Sequence, residues 1–140
     1  MIIRYVKILT MLLLNSNIAL ANNNFFKDGV DLFNSKKLDE AKFKFEQDIV
    51  QNPKSENSYL YLAKIFYDQK KTDLAEQNLE TVILLNPKNE EAIYNLAKLK
   101  LDSSDYKKSK ELNDRLSDLC EKLCDKSQKL KIEIENLSKK

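Results

Sequence analysis

Histidine and tryptophan are absent from this chain, and glycine occurs only once, as Gly29. Without histidine, the chain lacks the commonest general base and the usual partner of a serine or cysteine nucleophile. A single glycine is too few for a glycine-rich loop that would cradle a phosphate group. No other catalytic constellation stands out among the residues. We therefore expect neither enzymatic activity nor a bound cofactor.

Residues that form tight turns are scarce as well, with two prolines beside the single glycine in 140 residues. β-Hairpins and β-sandwiches need many such residues at their turns. Alanine, leucine, lysine, glutamate and asparagine dominate the chain instead. The composition therefore predicts an all-α fold, and the length suits one domain.

Residues 1–21 differ from the rest of the chain. They begin with the basic residues Arg4 and Lys7, continue through a short apolar stretch, and end in small residues at Ala21. This is the order of a cleaved secretory signal peptide. The alternative is an uncleaved anchor, which needs about 20 apolar residues, but polar residues from Asn15 onward interrupt the stretch. We expect cleavage after Ala21, export to the periplasm or secretion, and no stable membrane insertion afterwards.

Removal of this segment would leave a chain with balanced charge. The full chain has 24 basic and 22 acidic residues, and the segment contains two bases and no acid, so 22 of each would remain. Nucleic-acid binding depends on phosphate contacts from an excess of lysine and arginine on one face. We therefore expect no nucleic-acid partner.

The sequence repeats itself with a period of 34 residues. Equivalent positions include Lys36 and Lys70, Lys37 and Lys71, Asp39 and Asp73, Ala41 and Ala75, and the Asn-Pro steps ending at Pro53 and Pro87. Fainter equivalents such as Ala97 and Tyr106 follow after another 34 residues. Within a unit, apolar residues recur at steps of three and four along two segments, which is the spacing of two amphipathic helices. Such a period indicates a solenoid of stacked helical hairpins.

Small residues occupy the positions where the two helices of each hairpin would cross. They are Gly29, Ala63 and Ala97 on first helices, and Ala41, Ala75 and Ser109 on second helices. With the flanking large apolar residues and the closing proline, this arrangement resembles the tetratricopeptide repeat. The resemblance implies a right-handed helical-hairpin solenoid. Its three repeats would be residues 22–55, 56–89 and 90–123, followed by a C-terminal capping helix at 124–140.

Some residues depart from the pattern of that family. They are Asp28 and Asp48 in the first repeat, and Lys100, Ser109, Asn113 and Glu121 in the third. Terminal repeats are often atypical because they face solvent or a cap. The second repeat is therefore the best match of the three.

The resemblance also implies a binding groove on the concave face, lined by the first helices. The residues at the groove positions are Phe26, Val30, Phe33, Leu60, Lys64, Tyr67, Tyr94, Lys98 and Leu101. Members of the family that dock chaperones hold a C-terminal carboxylate with lysine and asparagine at such positions. Phe26 and Val30 stand where the first of those residues would be, so this specialised role is not expected.

An apolar, aromatic groove with two lysines is typical of an interaction surface. We expect a non-catalytic, exported scaffold or adaptor that binds a protein or peptide partner through this groove. The alternative is a structural assembly component that uses the same surface to self-associate, for example as a homodimer.

Cys120 and Cys124 are the only cysteines. Exported thiols meet an oxidising compartment, but residues four apart in a regular helix have Cβ atoms about 6 Å apart, more than the roughly 4 Å that a disulfide needs. A bridge therefore requires a helix break after the third repeat. The similarity to short exported tetratricopeptide proteins with such a pair implies a structural disulfide. Free thiols and a Cu(I) pair in a copper carrier remain open alternatives, although we expect no metal site.

Overall fold

The computed structural model describes residues 24–139, and within that range it contains seven α-helices and no β-strand. The helices are α1 Phe25–Asn34, α2 Leu38–Gln51, α3 Glu56–Asp68, α4 Thr72–Leu85, α5 Glu90–Asp102, α6 Tyr106–Leu119 and α7 Cys124–Leu137. The predicted all-α fold is confirmed. The proposed signal peptide, residues 1–21, lies outside the described residues. None of these seven helices is both long enough and apolar enough to cross a membrane.

The first six helices form three consecutive hairpins, α1–α2, α3–α4 and α5–α6. Each hairpin lies within one of the 34-residue units read from the sequence. Neighbouring hairpins meet through α2 and α3 and through α4 and α5, and α7 packs on α6 with further contacts to α5. Within residues 24–139, the main contacts of each unit are therefore with its neighbours in sequence, which is the arrangement of a solenoid.

The turn inside each hairpin has the same backbone geometry. Lys36, Lys70 and Ser104 lie 34 residues apart, and each has a φ angle close to 60°. In each turn the next residue donates its N–H to a carbonyl five residues earlier, as Lys37 does to Leu32 at 3.0 Å. This left-handed residue and its hydrogen bond end a helix by satisfying its last carbonyl groups.

The helices of each hairpin cross closely at the small residues identified in the sequence. A Cβ atom on Gly29 would lie 2.7 Å from Cε1 of Phe45, so only glycine fits there without displacing the ring. In the third hairpin, the buried Ser109 donates its hydroxyl to the carbonyl of Ala97 at 2.8 Å. Serine therefore replaces alanine at this crossing without leaving an unsatisfied polar group.

The core runs the length of the solenoid. Its fully buried large side chains include Phe45, Ile65, Val82, Ile93, Leu99, Leu116 and Leu130. Burying a side chain of this size stabilises the fold by about 1.5–3 kcal/mol. Between the first two hairpins, Phe45 stacks on Tyr61 with ring centroids 4.9 Å apart, and Phe26 and Phe33 meet the same tyrosine edge-on.

Charged residues that depart from the repeat pattern have partners at the helix interfaces. Asp48 accepts hydrogen bonds from the hydroxyls of Ser55 at 2.6 Å and the buried Ser58 at 2.5 Å. Lys100 pairs with Glu76 at 2.5 Å, which joins α5 to α4. These polar contacts tie consecutive helices together at positions that depart from the repeat pattern.

The C-terminal helix α7 covers the last hairpin with one apolar face. Leu130 and Ile134 on that face are buried, and Leu123 and Leu137 at its ends are half-buried. The face also holds a buried polar pair, because the hydroxyl of Ser127 donates to the side-chain oxygen of Asn113 on α6 at 3.1 Å. The atypical asparagine of the third repeat is therefore a contact for α7.

Candidate functional site

A cavity of about 230 Å³ opens between α3 and α5. It is lined by Ala63, Lys64, Tyr67, Asp68, Leu79, Tyr94, Asn95 and Lys98. Two tyrosines and two lysines of the predicted groove therefore come together around one space. Asp68 and Asn95 also line it and were not predicted, because neither stands at a groove position of the family.

Two predicted groove residues, Leu60 and Leu101, do not line an open surface. Their exposed fractions are 5% and 3%, and both belong to the continuous core. The prediction is wrong for these two residues. The sequence places them on the groove face of their helices, but it does not show how closely the next element packs over them. Truncating either residue would disturb the fold before it disturbed binding.

The first repeat contributes an aromatic surface rather than part of the cavity. Phe26, Val30 and Phe33 are half-buried and pack against the core. Phe33 lies 5.1 Å from Tyr61, measured between ring centroids, and Phe26 lies 5.9 Å from it. The structure therefore separates these three residues from the four that surround the cavity.

Both lysines of the cavity are paired with carboxylates. Lys64 lies 2.7 Å from a carboxylate oxygen of Glu91 and above the ring of Tyr61. Lys98 lies 3.2 Å from both carboxylate oxygens of Glu133 on α7. Glu133 could not be identified as a site residue from the repeat pattern, since it lies in the tail, outside the 34-residue period.

Each of the two tyrosines also has a charged neighbour. The Tyr67 hydroxyl donates a hydrogen bond to the carboxylate of Asp102, at the end of α5. The ammonium group of Lys126, on α7, lies 5.3 Å from the centroid of the Tyr94 ring. The cavity is therefore bordered by apolar ring faces and by charges of both signs.

The hydrogen bond to Asp102, followed by burial and by the negative charge of the same carboxylate, raises the pKa of Tyr67 to about 12. The neutral phenol is thus favoured in the folded protein. This contribution to stability is complete below about pH 10, the ordinary pKa of the phenol, and is lost as the pH rises through about 12.

We expect the variant Asp102→Asn to lower the pKa of Tyr67 towards 10, because it removes the negative acceptor. Ultraviolet absorbance should then show more tyrosinate per molecule than in the unmodified protein between pH 10 and 12, with the largest difference near the middle of that range. Asp68→Asn is the matched control, since it removes a nearby charge without removing the hydrogen bond. Equal shifts in the two variants would contradict the assigned cause.

The two cysteines lie where the helix breaks between α6 and α7. Helix α6 ends at Leu119 and α7 begins at Cys124, and the structure joins Cys120 to Cys124 with their Cα atoms 5.2 Å apart. The break that a bridge requires is therefore present in the backbone. Within residues 24–139, no group of three or more cysteine, aspartate and glutamate side chains is arranged to hold a metal ion.

The carboxylate of Glu90 binds the backbone between the two cysteines. It accepts hydrogen bonds from the N–H groups of Glu121 at 2.8 Å, Lys122 at 3.0 Å and Leu123 at 2.8 Å. These bonds, that of Glu121 above all, hold the pKa of Glu90 below its ordinary value. We call this contact between Glu90 and residues 121–123 the Glu90 clasp.

Comparison with known proteins identifies the repeat and the fold. A tetratricopeptide repeat family model matches residues 66–119. No curated protein sequence matches the chain significantly. Among solved structures, the first tetratricopeptide domain of Spaghetti (RPAP3), bound to an HSP90 peptide, is similar with a TM-score of 0.73 and 18% identity, covering 81% of this chain and 90% of that one.

Two further structures show the same likeness. The type III secretion chaperone SycD of Yersinia enterocolitica, in complex with a peptide of the translocator YopD, has a TM-score of 0.74 and 15% identity, covering 83% of this chain and 92% of its own. The TPR2B domain of yeast Sti1, in its pHsp70 complex, has a TM-score of 0.72 and 14% identity, covering 78% of this chain and 91% of that one. At these identities the likeness shows the fold.

Proposed function

Because this chain is a tetratricopeptide-repeat protein, we propose that it is a scaffold that binds a peptide or a partner protein in the groove between α3 and α5. One observation carries the proposal. Tyr67, Tyr94, Lys64 and Lys98, which stand at the groove positions implied by the resemblance to the tetratricopeptide repeat, surround a single open cavity. Aromatic side chains with one accessible face and an adjacent charge are the usual anchors of such interfaces.

The size of the cavity favours a side chain of a peptide over a small-molecule ligand. About 230 Å³ is below the 300–1,000 Å³ that is usual for small-molecule and cofactor sites. An interface commonly depends on one large anchor side chain that enters such a pocket. We infer that an apolar residue of the partner enters between Tyr67 and Tyr94, while polar groups of the partner meet the charged rim.

Two of the similar solved structures support this use of the fold, since RPAP3 and SycD are each bound to a peptide. The HSP90 peptide bound to RPAP3 is SRMEEVD, which carries acidic residues near and at its C-terminal end. In the present chain both cavity lysines already have carboxylate partners, and Phe26 and Val30 replace the first clamp residues. We therefore propose a partner with an apolar anchor rather than an acidic chain end.

Export is part of the proposal and rests on the sequence of residues 1–21. The partner would accordingly lie in the cell envelope or outside the cell. We propose no catalytic step, because the cavity is lined by two lysines that pair with glutamates, one aspartate, two aromatic rings, an amide and two apolar side chains, with none of the nucleophile and base pairs of a hydrolytic site.

Affinity capture from an envelope extract tests the proposal. We expect the purified protein to retain a specific partner that a variant carrying Tyr67→Ala and Tyr94→Ala fails to retain, because the variant loses both aromatic walls of the cavity. Circular dichroism should show the same helical content for both proteins, since Tyr67 is partly exposed and Tyr94 is half-buried.

The matched control is a second double variant, Val50→Ala with Leu84→Ala. These residues are 82% and 81% exposed and lie on second helices, away from the cavity. This control should retain the partner. If the control loses it while the tyrosine variant retains it, the groove is not the binding site. If the molar mass by light scattering is that of a dimer, and the tyrosine variant is a monomer, the alternative of self-association is supported instead.

A further inference from the structure

The C-terminal segment contacts one stripe of α5 from Glu90 to Lys98. Glu90, Tyr94 and Lys98 follow one another at steps of four, so they lie on the same face of that helix. Glu90 forms the clasp with residues 121–123, Tyr94 lies beneath Lys126, and Lys98 pairs with Glu133. Two of these three residues, Tyr94 and Lys98, line the cavity.

We propose that α7 is a strap that regulates access to the groove, and that the Cys120–Cys124 bridge holds the strap closed. The inference rests on the proposed function, since the groove is taken as the binding site. A partner that engages Tyr94 and Lys98 must displace Lys126 and Glu133 from them. The closed strap therefore competes with the partner at the third-repeat side of the cavity.

The strap is held to α6 and to α5 by different kinds of contact. Its buried residues Leu130 and Ile134 belong to the apolar core and keep the helix attached to the solenoid. Its contacts with the groove residues are an exposed ion pair and a lysine over a ring, and such contacts contribute little individually. Opening can thus release Tyr94 and Lys98 while α7 stays folded on α6.

The bridge acts through the Glu90 clasp. Three consecutive N–H groups converge on one carboxylate because the chain from Cys120 to Cys124 is turned back on itself, and the bridge closes that turn. Without the bridge, these residues regain conformational freedom and the three hydrogen bonds become harder to maintain together. Helix α7 begins at Cys124, so loosening the turn also frees the start of the strap.

Opening of the Cys120–Cys124 bridge uses a dithiol as the reductant. In that reaction the bond between the two sulfur atoms breaks, and the dithiol supplies two electrons and two protons to them. The dithiol is itself oxidised to a cyclic disulfide, so the exchange is balanced. A dithiol such as dithiothreitol serves in the test.

The test measures how fast an acylating reagent modifies Lys98, read by peptide mass spectrometry. Lys64 is the internal control, because its side chain is 30% exposed against 29% for Lys98 and it also pairs with a glutamate. We expect reduction to raise the rate at Lys98 several-fold and to leave Lys64 unchanged. The variant Cys120→Ser with Cys124→Ser should show the raised rate without any reductant.

Two substitutions calibrate the assay. Glu133→Gln should raise the rate at Lys98 alone in the oxidised protein, and Glu91→Gln should raise the rate at Lys64 alone. Alkylation with and without dithiol reports the state of the two thiols. The proposal is overturned if both thiols are alkylated without reductant, or if complete reduction leaves the rate at Lys98 unchanged. No partner enters this assay, so its failure is distinct from failure of the proposed function.

Discussion

Replacing Phe45 with alanine is expected to lower the free energy of unfolding by about 3–5 kcal/mol. The ring is completely buried, it stacks on Tyr61 and it contacts Phe26. The substitution removes these contacts and leaves a cavity beside Gly29, whose missing side chain cannot fill it. Domains of this size have a total stability of only about 5–15 kcal/mol, so this loss is a large part of the whole.

Phe43 provides a matched control for this prediction. It is the same residue type, two positions earlier on α2, but it is 57% exposed. Phe43→Ala should change the free energy of unfolding by no more than about 0.5 kcal/mol. Urea unfolding followed by circular dichroism measures both variants. Similar losses for the two phenylalanines would contradict the packing described for α1, α2 and α3.

Replacing Leu130 with alanine is expected to cost about 2–5 kcal/mol. Leu130 is 1% exposed and lies at the middle of the apolar face by which α7 covers the last hairpin. Loss of this side chain leaves a cavity between α7 and the solenoid, and it weakens the cover over the end of the core.

Ile132 is the matched control on the same helix, because it is 51% exposed and points away from the core. Ile132→Ala should alter the free energy of unfolding by no more than about 0.5 kcal/mol. The same urea titration compares the two variants. If Leu130→Ala is as mild as Ile132→Ala, α7 does not pack on α6 as described.

The repeat period contained enough information to predict the fold, since one repeated unit fixes both the helices and the contacts between them. Gly29 and Ala41 occupy the places in the first hairpin that Ala63 and Ala75 occupy in the second. Because these residues are small, the two helices of each hairpin cross closely. The turns were also predictable in position. The left-handed backbone of these turns was not predictable, because glycine or asparagine usually indicates that conformation and residue 36 is a lysine.

The groove was less predictable than the fold, because its surface depends on contacts that do not repeat. The resemblance to the tetratricopeptide repeat assigned Tyr67 and Lys98 to the groove, and both line the cavity. It could not show that Leu101 is buried, or that Glu133 in the tail pairs with Lys98. The pairing of Glu133 depends on how α7 docks, and this segment does not repeat, so no equivalent part of the chain indicates its position.

The polar pair formed by Asn113 and Ser127 also affects how many hairpins can stack in this solenoid. Stacked hairpins have no inherent end, because each new unit offers the next the same apolar surface. On α6 that surface is interrupted by a buried amide, which needs a hydrogen-bonding partner that an apolar hairpin would not supply. Helix α7 supplies it through Ser127 and presents charged residues outward. A further hairpin stacked directly on α6 in place of α7 would therefore leave the amide of Asn113 without its hydrogen-bonding partner.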